Sequence, residues 1–221
     1  NHSFSLDYGR KLDRPRYQDL NPFVYFLNEN NFSRGNSELI PAFSHEFNLN
    51  YSLLGKYFFD VYYRDNGENI LRLGFQDNAN EVLRSENQNA LASKSWGLDF
   101  THGRSFAAWW YFYTYMSLFH EEETFLAVES NNVPFTNKVD GFYGSFSNFL
   151  TLSKDKTITG EISLNYFSRF ISGSYVQAST TDLRIGVKKT FWNKRASLSI
   201  AVNDVLGEAN AIQSEGCIGN S

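Results

Sequence analysis

Three adjacent carboxylates, Glu121, Glu122 and Glu123, followed by Thr124, are the densest group of potential ligand oxygens in the chain. On an extracellular loop they would suit a divalent cation or a cationic ligand, since calcium takes hard oxygen donors; the same run also reads as a solvated loop tip. His45, His102 and His120 stand far apart, with no HExxH spacing and no second ligand at short range, which speaks against a metal site. His45 reads as a strand residue and the other two as turn residues. Serine is plentiful, yet no Gly-x-Ser-x-Gly elbow and no close Ser/His/Asp grouping occurs. No catalytic residue, metal ligand or cofactor site is therefore assigned, and the chain reads as non-enzymatic. Tyr111, Tyr113 and Tyr115 recur at every second position, where they would either stack a sugar or fill an interior. Glu46, Asn48, Asn50, Asp60, Arg64, Asp99, Glu161, Asn165, Arg184 and Lys188 form a polar set of both signs, each next to apolar residues.

What must position these side chains is a set of strands. Phe4, Leu6 and Tyr8 alternate with Ser5 and Asp7; Phe47, Leu49 and Tyr51 with Glu46, Asn48 and Asn50; Leu98 and Phe100 with Asp99. Farther on, Ile162, Leu164 and Tyr166 alternate with Glu161, Ser163 and Asn165, and Leu198, Ile200 and Val202 with Ser199 and Asn203. A period of two means that one strand face is apolar and the other polar. The nearly apolar stretch 106–119 reads as one buried strand and is shorter than the roughly 20 residues of a spanning helix. About nine strands result, many near the 9 to 11 residues of a tilted membrane-spanning strand. Short turns at 53–56, 102–105, 153–156 and 192–195 alternate with long polar loops near 12–42, 76–92, 119–138 and 169–179. Sorting short turns to one end and long loops to the other is the habit of outer-membrane barrels, although a lipocalin-like barrel partly shares it.

Composition narrows the choice. Phe and Tyr number 21 and 13 against a single Met, which disfavours a helical bundle, and a net charge of -4 gives no basic footprint for nucleic acid. Mean hydropathy of -0.41 does not argue against a membrane, because a barrel hides its apolar residues at alternate positions. The only cysteine, Cys217, rules out a disulfide within the chain. The fold class expected is all-β, an antiparallel up-and-down transmembrane barrel segment; a soluble ligand-binding β-sandwich is the alternative.

Leu12-Asp-Arg-Pro-Arg-Tyr-Gln-Asp-Leu-Asn-Pro-Phe, Phe32-Ser-Arg-Gly-Asn, Leu39-Ile-Pro with the strand from Glu46 to Tyr51, Ser95-Trp-Gly-Leu-Asp-Phe and Leu198-Ser-Ile-Ala-Val-Asn-Asp-Val-Leu-Gly follow one another along the chain. In the first two segments and in their order they resemble the barrel of TonB-dependent receptor-like proteins. In the first two, proline and Asn-Pro end a strand and start a loop, and Gly35 would supply a turn at positive φ. The resemblance implies a Gram-negative outer-membrane receptor that takes up a scarce nutrient: a metal chelate, a glycan or a peptide. It also implies a plug domain inside a barrel of about 22 strands, with TonB, outer-membrane lipid and a surface lipoprotein as partners. On this reading 1–207 is part of the barrel and 208–221 is a loop or tail where a final strand would be expected, so the chain is a C-terminal piece. The polar set and the three tyrosines would then face the lumen. A structural or adhesive surface barrel is the rival.

Overall fold

The computed structural model describes residues 1–77, 80–127, 133–208 and 214–215. Its first half comprises β1 (His2–Asp13), α1 (Tyr17–Leu20), β2 (Val24–Asn28), β3 (Asn31–Arg34), β4 (Ala42–Leu53), β5 (Tyr57–Gly67), β6 (Ile70–Asp77) and β7 (Val82–Asn89). There follow β8 (Ala92–Ala107), β9 (Trp110–Ala127), β10 (Val133–Thr151), β11 (Ile158–Phe167), β12 (Phe170–Ser172), β13 (Tyr175–Gln177), β14 (Thr180–Phe191), β15 (Ala196–Val202) and β16 (Ser214–Glu215). No helix among the described residues is long and apolar enough to cross a membrane.

Nine strands form one sheet in the order β1-β4-β5-β8-β9-β10-β11-β14-β15. Every pair in it is antiparallel. Directly opposed residues share a face, so register carries the alternation from strand to strand. Leu6 lies opposite Leu49, Leu49 opposite Val61, Val61 opposite Leu98, Leu98 opposite Leu118 and Leu118 opposite Phe142. The row continues farther along with Ile162 opposite Ile185 and Ile185 opposite Val202. A one-residue slip anywhere would turn these side chains to the wrong face, which is why the pattern fixes the pairing.

The short connections gather at one end of this sheet, at 54–56, 108–109, 152–157 and 192–195. One of them corrects the sequence reading: 102–105 is strand inside β8, and the chain reverses at Ala108 and Trp109 instead. Gly103 looked like a turn residue, but a Cβ there would collide with the Tyr111 hydroxyl, so the glycine makes room for a ring from the neighbouring strand. The stretch 106–119 is accordingly two arms of a hairpin. Phe106 packs on Trp110 with ring centroids 4.7 Å apart, and a register shift between Ser105 and Ala107 absorbs the extra residue as a bulge.

At the opposite end, the expected long polar loops are largely strand. The region 12–42 holds α1, β2 and β3; 76–92 holds β7; 119–138 is the upper reach of β9 and β10; and 169–179 is the β12–β13 hairpin. Residues 128–132 and most of 208–221, including Cys217, lie outside the described residues. Two small sheets assemble here, β2-β3-β7-β6 and β12-β13-β16. Their signal was weak because β3 pairs with β7 in parallel across a long sequence gap, which no local pattern announces. The buried core sits at this end too: Leu71, Leu73, Phe75, Ala90 and Phe125 form one cluster. Gly35 does not adopt positive φ; a Cβ there would collide with the Asn21 carbonyl, so close backbone approach is what demands glycine.

Candidate functional site

Register places Glu46 opposite Arg64, Asn50 opposite Asp60, Asp60 opposite Asp99 and Asn48 opposite Tyr62. On the other half of the sheet Thr159 lies opposite Lys188, Ser163 opposite Arg184 and Ser145 opposite Asn165, with Ser145 also opposite Tyr115. Ser147 opposite Tyr113 and Phe149 opposite Tyr111 and Glu161 complete the row. The ten polar residues and three tyrosines singled out from sequence thus occupy one face. They do not converge on one point. Several are tied to near neighbours: Lys11 Nζ donates to Glu46 Oε2 at 2.6 Å, Asn50 Nδ2 to Asp7 Oδ2 at 3.0 Å, and Ser145 Oγ to Asn165 Oδ1 at 2.7 Å. Tyr115 and Ser117 hydroxyls donate to the two oxygens of Asp99 at 2.9 and 2.6 Å. Arg184 Nε reaches Asp182 at 2.6 Å, and the Arg64 guanidinium lies 4.4 Å from the centre of the Tyr62 ring. Near the turn end, Tyr111, Glu161 and Lys188 do share a concavity of about 560 Å³ with Phe149 and Ser199.

The other face is apolar through its middle and edged with aromatic pairs. Tyr57 stacks on His102 at 4.4 Å toward the turns, and Trp96 stacks on His120 at 3.8 Å toward the opposite end. His102 and His120 therefore stand in β8 and β9, not in turns, where aromatic partners and hydrogen bonds hold them. Nδ1 of His102 donates to the Lys56 carbonyl at 3.0 Å, and Nδ1 of His120 to Asp140 at 2.7 Å. Just beyond His120, Glu122 meets Lys138 at 3.1 Å on the same face.

The three glutamates correct another expectation. They lie in β9, not on a loop, and strand alternation turns Glu122 away from its neighbours. Glu121 and Glu123 point to the polar face, where Glu121 Oε2 accepts the Ile171 N–H at 3.1 Å and so ties down β12. Register puts Ser93 and Asn137, both buried, beside Glu123. Burial first, and then the Glu121 carboxylate, push Glu123 up to about 7. Among the described residues no group of three His, Cys, Asp or Glu side chains is placed to hold a metal ion.

Sequence reasoning missed a second cavity, also about 560 Å³, enclosed at the loop end by residues 13–35 and the β6–β7 hairpin. Its wall includes Arg14, Arg16, Arg34, Arg72, Asp19 and Glu86. The only available hint was the density of Arg and Asp in 13–19, which read as turn chemistry.

Residues 1–216 match the family model of the outer membrane protein beta-barrel family. The chain belongs to that family. Its place is accordingly the outer membrane, and its nine-stranded sheet is a stretch of barrel wall. Among solved structures it is similar to a mutant of the ferric enterobactin receptor from Pseudomonas aeruginosa, with a TM-score of 0.57 at 12% identity. The match covers 97% of this chain and 36% of the receptor, so the chain spans about a third of that protein's length. At that identity the likeness shows the fold. No curated protein matches the chain. The two smaller sheets sit at the loop end, where Phe125 of β9 packs with Leu73 and Phe75 of β6, and the family match puts a stretch of barrel wall in place of the β-sandwich held open from sequence.

Proposed function

We propose that this chain is wall and loop-end structure of a receptor or transporter barrel of the TonB-dependent type, its polar face lining the lumen and its apolar face meeting lipid. The observation that carries the reading is the sorting of the two faces across all nine strands. On β9 the climb from Trp110 to Leu118, at about 3.4 Å per residue and about 40° of tilt, is roughly 21 Å, close to an apolar band of about 25 Å. Above that height the outward pair of Glu122 and Lys138 marks the end of the hydrocarbon. A polar wall satisfied mainly by short local hydrogen bonds suits contact with water and a plug, and needs no substrate of its own. The similar receptor is named for ferric enterobactin, and a metal chelate, a glycan or a peptide remains the cargo class. A plug and TonB would be the partners, together with outer-membrane lipid and a surface lipoprotein, and nucleic acid would not.

The test is uptake by cells producing the full-length protein under nutrient limitation, with and without functional TonB. Growth that needs both the protein and TonB is the expected result. An unchanged phenotype without TonB, confined to adhesion or envelope integrity, would favour the structural barrel.

A further inference from the structure

The loop-end cavity is built from charged side chains, and its construction says what it would hold. Parallel pairing puts Arg34 of β3 opposite Glu86 of β7, and antiparallel pairing puts Arg72 of β6 opposite Asn87. Half-buried Asp19 and buried Glu86 are already engaged. Asp19 accepts Nε and Nη2 of Arg16 at 2.9 and 3.1 Å and Nδ2 of Asn87 at 2.9 Å. Glu86 accepts Nε of Arg34 at 2.7 Å, and Nε of Arg84 stands 3.4 Å from the same oxygen. These pairs fix the two guanidinium groups in place, as bidentate and charge-assisted bonds do, while the terminal nitrogens of Arg34 make no hydrogen bond among the described residues. Among the described residues Arg72 has only a long 3.4 Å bond to the Ser33 hydroxyl. Neither Arg72 nor Arg14 has a carboxylate within ion-pair distance among the described residues.

We infer that this cavity is a binding site for a small, soluble, multiply charged anion bearing carboxylate or phosphate groups. Four arginines line it, with Arg84 behind them, against the three carboxylates Asp13, Asp19 and Glu86. The excess is local, for the whole chain carries a net charge of -4. Its volume of about 560 Å³ falls within the roughly 300–1,000 Å³ typical of small-ligand sites. Planar guanidinium forks match carboxylate and phosphate oxygens, and Arg34, held at Nε by Glu86, loses little freedom when an anion arrives. A neutral sugar would leave the charges of Arg14 and Arg72 unused. The inference goes beyond the transport reading and stands without it, because the site lies wholly within this chain.

The experiment uses the full-length protein, purified from outer membranes in detergent, and calorimetric titration with citrate, with pyrophosphate and with maltose as the neutral control. Citrate or pyrophosphate is expected to bind and maltose not. Arg72→Gln and Arg14→Gln, both of which leave the Arg16–Asp19 and Arg34–Glu86 pairs intact, should each weaken anion binding by about tenfold or more. Arg195→Gln, in a turn at the opposite end, should leave it unchanged. Retention of heat-modifiable migration in gels shows that each variant has folded. Failure of both anions to bind the wild type, or equal binding by the Arg14→Gln, Arg72→Gln double variant, would overturn the proposal.

Discussion

The barrel wall and the loop-end cap share the long strands β9 and β10 but are held by different forces. In the wall, Leu6 and Ile200 are 75% and 67% exposed, and stability rests on backbone pairing and on whatever covers the apolar face. In the cap, Leu73 and Phe125 are 0% exposed, as in an ordinary globular core. Strand β9 passes from one regime to the other: through Leu118 its alternation separates an apolar from a polar face, and from Glu121 its polar-face side chains are half-buried or, at Phe125, fully buried by neighbouring segments. Ser174 shows how the cap is locked. Its hydroxyl accepts the Gly74 N–H at 3.3 Å and its carbonyl accepts Asn137 Nδ2 at 3.2 Å, joining β6 to β10 through the β12–β13 turn. The wall is thus sorted by solvent, and the cap is packed.

If that contrast holds, damage should stay where it is made. Phe75→Ala empties a core position and should cost about 3–5 kcal/mol, loosening the cap in limited proteolysis while heat-modifiable migration shows an intact barrel. Loss of barrel assembly would show that wall and cap are one cooperative unit. Ile162→Arg should do the reverse, blocking assembly at a cost of about 2–4 kcal/mol for a cation on the lipid face near midplane. Its neighbour Glu161→Arg, on the polar face, should assemble normally.

Glu123 sharpens the comparison from the cap side. Its carboxyl sits at about 7 in the folded cap against an ordinary 4.5, so the folded state holds the proton more tightly than the unfolded one. That contribution is fully present below about pH 4.5 and is lost as pH rises through 7. Glu123→Gln should remove the dependence and strengthen the cap at pH 8 by about 2 kcal/mol. Hydrogen-exchange protection of 171–177 at pH 5 and pH 8 reads this out, and an identical pH response in the variant would discard it. The smallest effect belongs to the Glu122 and Lys138 pair: Lys138→Ala should change stability by about 1 kcal/mol or less, because solvent screens it.

Legibility in the sequence followed the same division. Phe47, Leu49 and Tyr51 against Glu46, Asn48 and Asn50 could be assigned to faces because a sheet with one apolar and one polar face has a strict period of two. The turn at Ala108 and Trp109 was hidden, since neither residue is a turn former and Gly103 imitated one. In the cap, Leu71, Leu73 and Phe75 do alternate, but their partners come from distant segments, and a stretch this short does not announce a second sheet. The arginine cavity depends on the parallel pairing of β3 with β7, which only the folded chain reveals. Glu121, Glu122 and Glu123 misled for a related reason: a charge run resembles a loop until a cap is built around it.

Central to all of this is that one strand shows lipid and water alternate side chains. In full-length protein with Cys217→Ser, single cysteines placed from 158 to 166 along β11 can be spin-labelled and probed in native membranes with an apolar and a polar relaxation agent. The account predicts oxygen-accessible labels at 158, 160, 162, 164 and 166 and water-accessible labels at 159, 161, 163 and 165. Uniform accessibility along the strand, or the opposite phase, would contradict it.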